Sequence, residues 1–502
     1  MTQPPADFSL TATIREVERH WLARLPAGSL MERAAAAVAS QADRIARFRP
    51  RGGTIIALVG PGNNGGDALL ALTALRDRGY PVEALALAPE HMPAAADAAR
   101  ARARWSASGA TLEALSMLES SLSGAALVID GLFGIGLSRG LDGNAAKAAT
   151  LLAGASGTPV LAVDVPSGID ADTGAIVGGR GHVAVRADLT VTMIADKPGL
   201  ATGDGLAHAG RSVLASLGLP AAPVDGRRID RAHVAGWMPA RARNAHKGSH
   251  GTVSVVGGAE GMRGAALLAA RAAQCAGAGK VIVTGPDGPS FDPGQPQLMS
   301  AEPAPALAAA SAIAIGCGLG QGPQALELLC QCLARPVPLV ADADALNLIA
   351  GDTGTAALTA LRARSAQTPT VLTPHPLEAA RLLDTDAASV QADRIGAACA
   401  LSRSLSGVVV LKGAGTVIAT PQGAWGIVDT GGPALGVGGT GDVLAGALAA
   451  LLAQGLDGWH AAALAAWAHG EAGDRWSIAH SKGIGLSSTD LPALITESLN
   501  AQ

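Results

Sequence analysis

The sequence predicts two α/β units, each built on a mostly parallel sheet covered by helices on both faces. Three observations carry this. Short, nearly continuous apolar runs rich in β-branched residues alternate with Ala/Leu/Arg stretches, the pattern of strands buried on both faces between helices. A chain of 502 residues exceeds one comfortable hydrophobic core and suggests two domains of about 200–250 residues each. The alternation breaks over 217–245, where "LGLPAAPVDGRRIDRAHVAGWMPARARNA" carries Pro, Gly and Arg without clear periodicity. A domain boundary is expected there, near 220–240, dividing the chain into 1–225 and 226–502.

In chain order, residues 12–48 read as two helices. The second opens on "SLMERAAAAVA", where Ser29 as cap and Glu32 three residues later make a capping-box pattern. TIIALVG, PVEALALA, ALVIDGLFG, TPVLAVDVPSG and LTVTMI follow as strands. Beyond the break the alternation resumes with GTVSVVGG, KVIVTG, SAIAIGCG, VPLVADAD and TPTVLTPHP. Near 407–428, "GVVVLKGAGTVIATPQGAWGIV" reads as a meander of short strands, and two helices follow at roughly 440–454 and 459–476. No fixed-period repeat is present, so these are two α/β units rather than a solenoid.

Composition excludes several function classes. The formal charge of −4, without clustered Lys and Arg, argues against a nucleic-acid groove, and 2% aromatics leave little for base stacking. The five cysteines form no C-x-x-C pair, and their odd number fits a reducing compartment better than a disulfide framework. MTQPPADFSL lacks the basic start and apolar core of a signal peptide. The most apolar helix candidate, VLAGALAALLAQGL, is too short and interrupted to span a bilayer. A cytoplasmic protein without nucleic-acid or membrane partners is expected.

The first chemical signal is "GPGNNGGD", residues 60–67, on a strand-to-helix turn. In a doubly wound sheet, ligands bind beyond the carboxyl ends of strands, where helix N-termini present free amides to anions. Gly62, Gly65 and Gly66 let the backbone approach a phosphate, and Asn63 and Asn64 add side-chain donors and acceptors. Asp67 could fix a sugar hydroxyl or the loop itself. The spacing is neither the G-x-G-x-x-G fingerprint nor a Walker loop. Two more strand ends carry oxygen-rich punctuation: "VIDGLFGIGLSRG" with Asp130 and the loop Gly134 to Gly140, and "AVDVPSGID" with Asp164, Ser167 and Asp170. Each acidic residue alone reads as a helix cap. Three such ends in one sheet point instead to a shared site, able to offer carboxylate, amide and hydroxyl oxygens to a hard cation.

These three segments resemble the N-terminal, epimerase half of the NAD(P)H-hydrate repair enzymes. The likeness runs from LMERA at 30–34 to ADKPGL at 195–200, with Ala68 standing where the family's loop has a further glycine. It implies a Rossmann-like three-layer α/β/α domain over 1–225. By resemblance, Asn63, Asn64, Gly65, Gly66, Asp67, Gly134, Ile135, Gly136, Leu137, Ser138, Arg139, Gly140 and Asp164 contact the hydrated dinucleotide. Asn64, Asp130 and Ser167 coordinate a potassium ion. Asp164 is the candidate proton-transfer group, since epimerising a carbinolamine carbon requires moving protons on and off its hydroxyl. Lys197 is one of only six lysines among 37 basic residues and lies in a motif, although a solvated surface lysine is the alternative.

The second half carries "GGPALGVGGTGDVLAGALAALLAQG", a glycine-rich turn running into a long apolar helix. Free amides at Gly439, Thr440 and Gly441 would form an anion hole for a transferring phosphoryl group. Asp442 sits where it could take a proton from an acceptor hydroxyl. The structural alternative is an acid complementing the helix dipole. "VLKGAGTVI", residues 410–418, offers a second phosphate-facing loop with Lys412 as a point charge. "TPHPLEAARLL" presents His375 between Pro374 and Pro376.

GGTGDVLAG resembles the signature of the ribokinase-like superfamily. NAHKGSHGTVSVVGG and GMRGAALLAARAA complete a similarity to the dehydratase half of the same repair enzymes. The resemblance implies a ribokinase-like α/β/α domain over 226–502. In it Ala265, Gly318, His375 and Asp442 contact the hydrated nucleotide, and Lys412, Gly413, Ala414, Gly415, Thr416 and Gly441 contact the adenine nucleotide. Cys317, in GCGLG, replaces the family's usual proline, and Asp342 and Asn347 in ADADALN support the site. ADP as co-substrate and a magnesium ion are implied for this domain. The whole chain then reads as a bifunctional enzyme acting on the hydrates of NADH and NADPH (NADHX and NADPHX). It would interconvert their R and S forms and dehydrate the S form at the expense of ADP, giving AMP and phosphate. A homo-oligomer is expected. The alternative is a ribokinase-like small-molecule kinase carrying an N-terminal nucleotide-binding scaffold domain.

Overall fold

The TIIALV run forms the strand Thr54–Val59, buried from residue 55 onward, and the first unit is organised around it. The computed structural model describes the chain except residues 1, 4–6, 50–52, 91–94, 156, 239, 365–367 and 502. It divides into two compact units, Met1–Arg227 and Arg228–Gln502.

Across the eight-stranded sheet of the first unit the order is Thr2–Gln3, Arg211–Ala215, Leu189–Met193, Val160–Val163, Ala125–Gly131, Thr54–Val59, Val82–Ala86 and Glu113–Ala114. Only the edge pair of Thr2–Gln3 with Arg211–Ala215 is antiparallel. After Thr54–Val59 the chain builds outward on one side and then crosses to the other, starting with Ala125–Gly131. That reversal opens a crevice at the carboxyl ends of these two strands. Both glycine-rich loops, 60–67 and 131–140, begin there.

The second unit repeats the logic with ten strands, ordered Met299–Ser300, Lys280–Thr284, Thr252–Val256, Ala312–Ile315, Leu339–Ala341, Thr370–Leu372, Val408–Leu411, Val417–Ala419, Trp425–Val428 and Arg227–Ile229. Pairing is parallel as far as Val408–Leu411, and the expected meander continues antiparallel through Trp425–Val428. Its reversal lies between Thr252–Val256 and Ala312–Ile315. Among the described residues no helix is long and apolar enough to cross a membrane.

Two local expectations are corrected. Ser29 is not the cap of its helix. Gly28 takes that position at φ 85°, and Ser29 is the first helical residue, its hydroxyl donating to the Pro26 carbonyl at 2.7 Å. The turn after Pro26 requires a left-handed residue, which glycine adopts without steric cost, so the cap falls one residue early. The aperiodic stretch 217–245 also contains structure: the strand Arg227–Ile229 and the helix Arg231–Val234, whose cap Asp230 accepts the His233 N–H at 2.7 Å. Both elements are too short for periodicity to register.

The alanine-rich composition has a packing consequence. Helix Thr440–Ala453 lies against helix Arg263–Cys275, whose Ala266, Ala269, Ala270 and Ala273 are fully buried. A Cβ at Gly446 would fall 1.9 Å from the Ala269 carbonyl oxygen, so the two backbones touch. This close seating holds the helix that starts with Thr440, Gly441 and Asp442. Gly446→Ala improves helix propensity by about 1 kcal/mol, but overpacking against a backbone that cannot yield costs about 1–3 kcal/mol or more. We expect a net loss, read as a lower urea midpoint for the second unit with unchanged slope. A raised midpoint would show that the two helices do not meet here.

Candidate functional site

In the first unit the crevice is a cavity of about 530 Å³. Its walls include Pro61, Gly62, Asn63, Asn64 and Asp67 from the first loop, Leu132 through Arg139 from the second, and Asp164 from a third strand end. The helix Asn63–Asp77 has no side chain capping its N-terminus, which leaves its first-turn amides available to an anion. Gly65, Gly66 and Gly140 do not line the cavity. A Cβ at Gly65 would lie 2.2 Å from the Gly60 carbonyl oxygen, at Gly66 2.7 Å from the Met31 methyl, and at Gly140 2.0 Å from the His182 ring. These glycines set how closely the loops pack. Asp170 borders a smaller adjoining cavity of about 280 Å³.

Asp164 is held with unusual force. It sits at φ 69°, a left-handed conformation that strains a non-glycine residue. Its N–H donates to the Val191 carbonyl at 2.8 Å and its Oδ1 accepts the Met193 N–H at 2.9 Å. The Lys197 ammonium pairs with the same oxygen at 2.6 Å. Lys197 is no surface lysine: it is 1% exposed, and its ammonium also donates to Thr192 Oγ1 at 2.9 Å and the Met193 carbonyl at 3.0 Å.

Asn64, Asp130 and Ser167 converge around the Phe133 backbone. Ser167 Oγ donates to Asp130 Oδ1 at 2.7 Å and its N–H to Oδ2 at 2.8 Å. The Phe133 N–H donates to Ser167 Oγ at 2.9 Å, and Asn64 Nδ2 donates to the Phe133 and Val163 carbonyls at 3.0 and 2.7 Å. Asp130 is 0% exposed, and burial pushes its carboxyl up despite the bonds from Ser167 and Leu132. None of the ion pairs among the described residues includes it. Asp130 offers a carboxylate, Ser167 a hydroxyl, and Phe133 and Val163 carbonyls, an oxygen set that suits a large monovalent cation, while the Asn64 amide turns its Nδ2 to those two carbonyls.

Sequence reasoning missed Arg15 and Glu18. Both come from helix Thr11–Leu22 and line the cavity, with Arg15 donating to the Ile135 carbonyl at 3.1 Å. Burial first, and the charge of Asp164 second, raise the Glu18 carboxyl, and the same two causes raise Asp67 well above its ordinary value. On an amphipathic helix both residues look like ordinary solvent-facing positions.

In the second unit, consecutive parallel strands deliver the site. The ends of Ala312–Ile315, Leu339–Ala341, Thr370–Leu372 and Val408–Leu411 lead to Gly318, Asp342, His375 and Lys412. Lys412 Nζ donates to Asp342 Oδ1 at 2.6 Å. Burial works against the Lys412 charge, but Asp342 and Glu378 outweigh it and raise the ammonium's pKa. Helix Thr440–Ala453, again without a side-chain cap, brings Asp442 in from the other side. Donor atoms of Cys317, Asp342 and Asp442 lie within 4.8 Å of one another. Burial, then Asp342, push the Asp442 carboxyl up to about 6, with Cys317 and Lys412 pulling it partly back. The Cys317 thiol is itself pushed well up by burial and by Asp442, so it stays protonated.

The remaining expected residues surround this centre. A Cβ at Gly318, at φ 60°, would sit 3.1 Å from the Ala265 Cβ, and one at Gly441 would sit 3.4 Å from Lys412 Nζ. His375 caps helix Pro376–Leu383, its Nδ1 accepting the Leu377 and Glu378 N–H groups at 3.1 and 3.3 Å. Burial and Lys412 lower its pKa, so the ring is neutral at pH 7. Asn347 accepts from Arg381 at 2.6 Å. Two unforeseen side chains shape the loops. Buried Arg394 donates to the Leu411 and Lys412 carbonyls at 3.1 and 3.2 Å, beneath the loop Lys412 to Thr416. His469, pushed down to about 4 by burial, bonds the Thr440 carbonyl through Nε2 at 3.0 Å. Neither sits in a motif.

Comparisons with known proteins match two separate stretches of the chain. A family model described as NAD(P)H-hydrate dehydratase matches residues 253–497, and one described as YjeF-related protein N-terminus matches residues 27–199. A bifunctional NAD(P)H-hydrate repair enzyme of Moorella thermoacetica is 37% identical over 481 residues, covering 90% of this chain and 88% of that protein. Its Mycobacterium tuberculosis counterpart is 38% identical, covering 90% of each chain. The ADP/ATP-dependent NAD(P)H-hydrate dehydratase of Bacillus subtilis, co-crystallised with ATP/Mg2+, is 29% identical with a TM-score of 0.49 and covers 56% of this chain and 99% of that one. With both halves matched in the order epimerase then dehydratase, the chain belongs to the family of bifunctional NAD(P)H-hydrate repair enzymes.

Proposed function

We propose that the first unit interconverts the epimers of hydrated NADH and NADPH, and that the second dehydrates the S form using ADP. The observation that carries the second assignment is Asp442, a carboxyl raised to about 6 at the start of a glycine-rich, uncapped helix. A base poised near working pH takes protons more readily than an ordinary carboxylate. The ADP diphosphate lies over the loop Lys412 to Thr416 and the first-turn amides at Gly441. Asp442 accepts the proton of the ring hydroxyl as its oxygen attacks the terminal phosphorus, and AMP leaves. The ring nitrogen lone pair then expels inorganic phosphate, and loss of a neighbouring ring C–H proton restores the dihydronicotinamide. The amides stabilise charge at the transferring phosphoryl group, donors worth about 10²–10³ in rate each.

In the first unit the dinucleotide occupies the cavity, with Arg15 and Arg139 facing its phosphates and Asp164 moving the hydroxyl proton. A potassium ion at Asn64, Asp130 and Ser167 would supply the positive charge that balances buried Asp130. For magnesium the protein alone offers a poor site: a protonated thiol is a weak ligand for a hard ion, and Asp342 is committed to Lys412. Magnesium therefore enters with the nucleotide phosphates. Five free cysteines suit a reducing cytoplasm.

The direct test is stoichiometry. An epimer mixture incubated with ADP should yield AMP, free phosphate and dihydronicotinamide absorbance in equal amounts, whereas a small-molecule kinase would keep the phosphate on its product. Asp442→Asn should lower dehydratase turnover at least about 100-fold while epimerisation and nucleotide affinity persist. The same change should stabilise the protein at pH 7 by about 1–3 kcal/mol. The folded carboxyl, at about 6, lies above its ordinary value of 3.8, so its charge costs folding energy above pH 6. That gain should vanish below about pH 4, where folded and unfolded states are both protonated; a thermal-melt series across pH reads it. Wild-type dehydratase turnover should fall about tenfold per unit below pH 6, as Asp442 is protonated. Exchanging potassium for tetramethylammonium should weaken epimerisation and leave dehydration of the pure S form unchanged. Equal rates in both salts would remove potassium from the first site.

A further inference from the structure

Four carboxylates face the first unit's cavity: Asp164, Asp67, Glu18 and Asp97. The charged groups around Glu18 are Asp164 and Asp67 from the two strand-end loops, Lys197 behind Asp164, Arg15 on its own helix, and Asp97 and Arg139 on the remaining walls. Lys197 holds Asp164 at 2.6 Å. Burial and the Asp164 charge favour the protonated form of Glu18, and Lys197 and Arg15 counter them only in part. Glu18 and Asp164 line the same cavity, and with Asp164 paired to the Lys197 ammonium the two carboxyls can serve as an acid and base pair. Asp67 is also pushed toward its acid form, but it is 8% exposed. A donor used in every turnover must regain its proton from water, and half-buried Glu18 has the better access.

We propose that Glu18 is the general acid of epimerisation, paired with Asp164 as the general base in the same cavity. This rests on the epimerase reading above. Protonated Glu18 gives its proton to the ring hydroxyl; the C–O bond breaks, water leaves, and the ring nitrogen lone pair forms a C=N⁺ bond. Water then adds to the opposite face of that carbon, making the new C–O bond, and its surplus proton passes to Asp164. Asp164 releases that proton to solvent and Glu18 takes one back, so the net change is inversion at one carbon.

The experiment uses the full-length chain and purified single epimers of hydrated NADH, with epimer ratios followed by NMR. Glu18→Gln should slow epimerisation at least about 100-fold while dehydration of the S form stays at the wild-type rate. Glu18→Asp should retain part of the activity, with the alkaline limb of its pH profile displaced, a change that a merely structural role would not produce. That limb reports the acid losing its proton, so it should be absent in Glu18→Gln. Should Glu18→Gln destabilise the first unit, the displaced limb of Glu18→Asp decides. Wild-type epimerisation by Glu18→Gln, or its loss in Asp67→Asn alone, would overturn the assignment to Glu18. Failure of the wild-type chain itself to epimerise would instead overturn the reading on which the proposal rests.

Discussion

A buried lysine pressed against one carboxylate is the interaction on which both sites depend. Lys197 meets Asp164 and Lys412 meets Asp342, each at 2.6 Å. Each site crowds several carboxyls into poorly solvated space, where two like charges about 4 Å apart repel by roughly 4 kcal/mol at an effective dielectric near 20. One ammonium per site offsets that repulsion. Removing either partner of such a pair leaves an uncompensated charge and costs about 3–5 kcal/mol. Among the carboxyls that the lysines do not hold, Glu18 and Asp67 in one unit are raised above their ordinary values, and Asp442 in the other is raised to about 6.

This arrangement sets stability against function at identifiable positions. Asp164 carries backbone strain worth about 1–3 kcal/mol, held by three tethers to Val191, Met193 and Lys197. Asp442 keeps an unfavourable half-buried charge at the start of a helix whose backbone is locked by contact at Gly446. Neither residue is placed for the benefit of the fold. The alanine-lined seat between helices Arg263–Cys275 and Thr440–Ala453 offers a rigid base against which such costs can be borne.

The legible parts of this protein are those where one physical rule dominates. Strands such as Thr54–Val59 and Thr252–Val256 are buried at nearly every residue, so unbroken apolar runs mark them. Site loops announce themselves because ligand crevices form at strand carboxyl ends, where glycine and acidic residues punctuate an apolar pattern. What escaped reading depends on distant partners. Glu18 and Arg15 belong to a helix lying before the matched residues 27–199, and only tertiary folding turns them into the cavity. Arg394 and His469 act at the site through hydrogen bonds to carbonyls of residues 411, 412 and 440, which no spacing rule encodes. Ser29 misled because its neighbour Gly28 satisfies the turn geometry first. Gly65 and Gly66 look like phosphate contacts in sequence, yet their missing side chains make room for Gly60 and Met31.

The cavity of the first unit has a calorimetric corollary. At roughly 30 Å³ per molecule, about 530 Å³ corresponds to on the order of 15–20 waters. Ile14, Leu22, Leu30, Met31, Ala34, Met193, Ile194 and Leu217 form an apolar lining beside the charged residues. Displacing solvent from such a wall leaves a negative heat-capacity change as its mark, whatever the balance of enthalpy and entropy at one temperature. Dinucleotide association with this unit is thus expected to grow more exothermic on warming, a thermal fingerprint set by eight side chains that take no part in proton transfer.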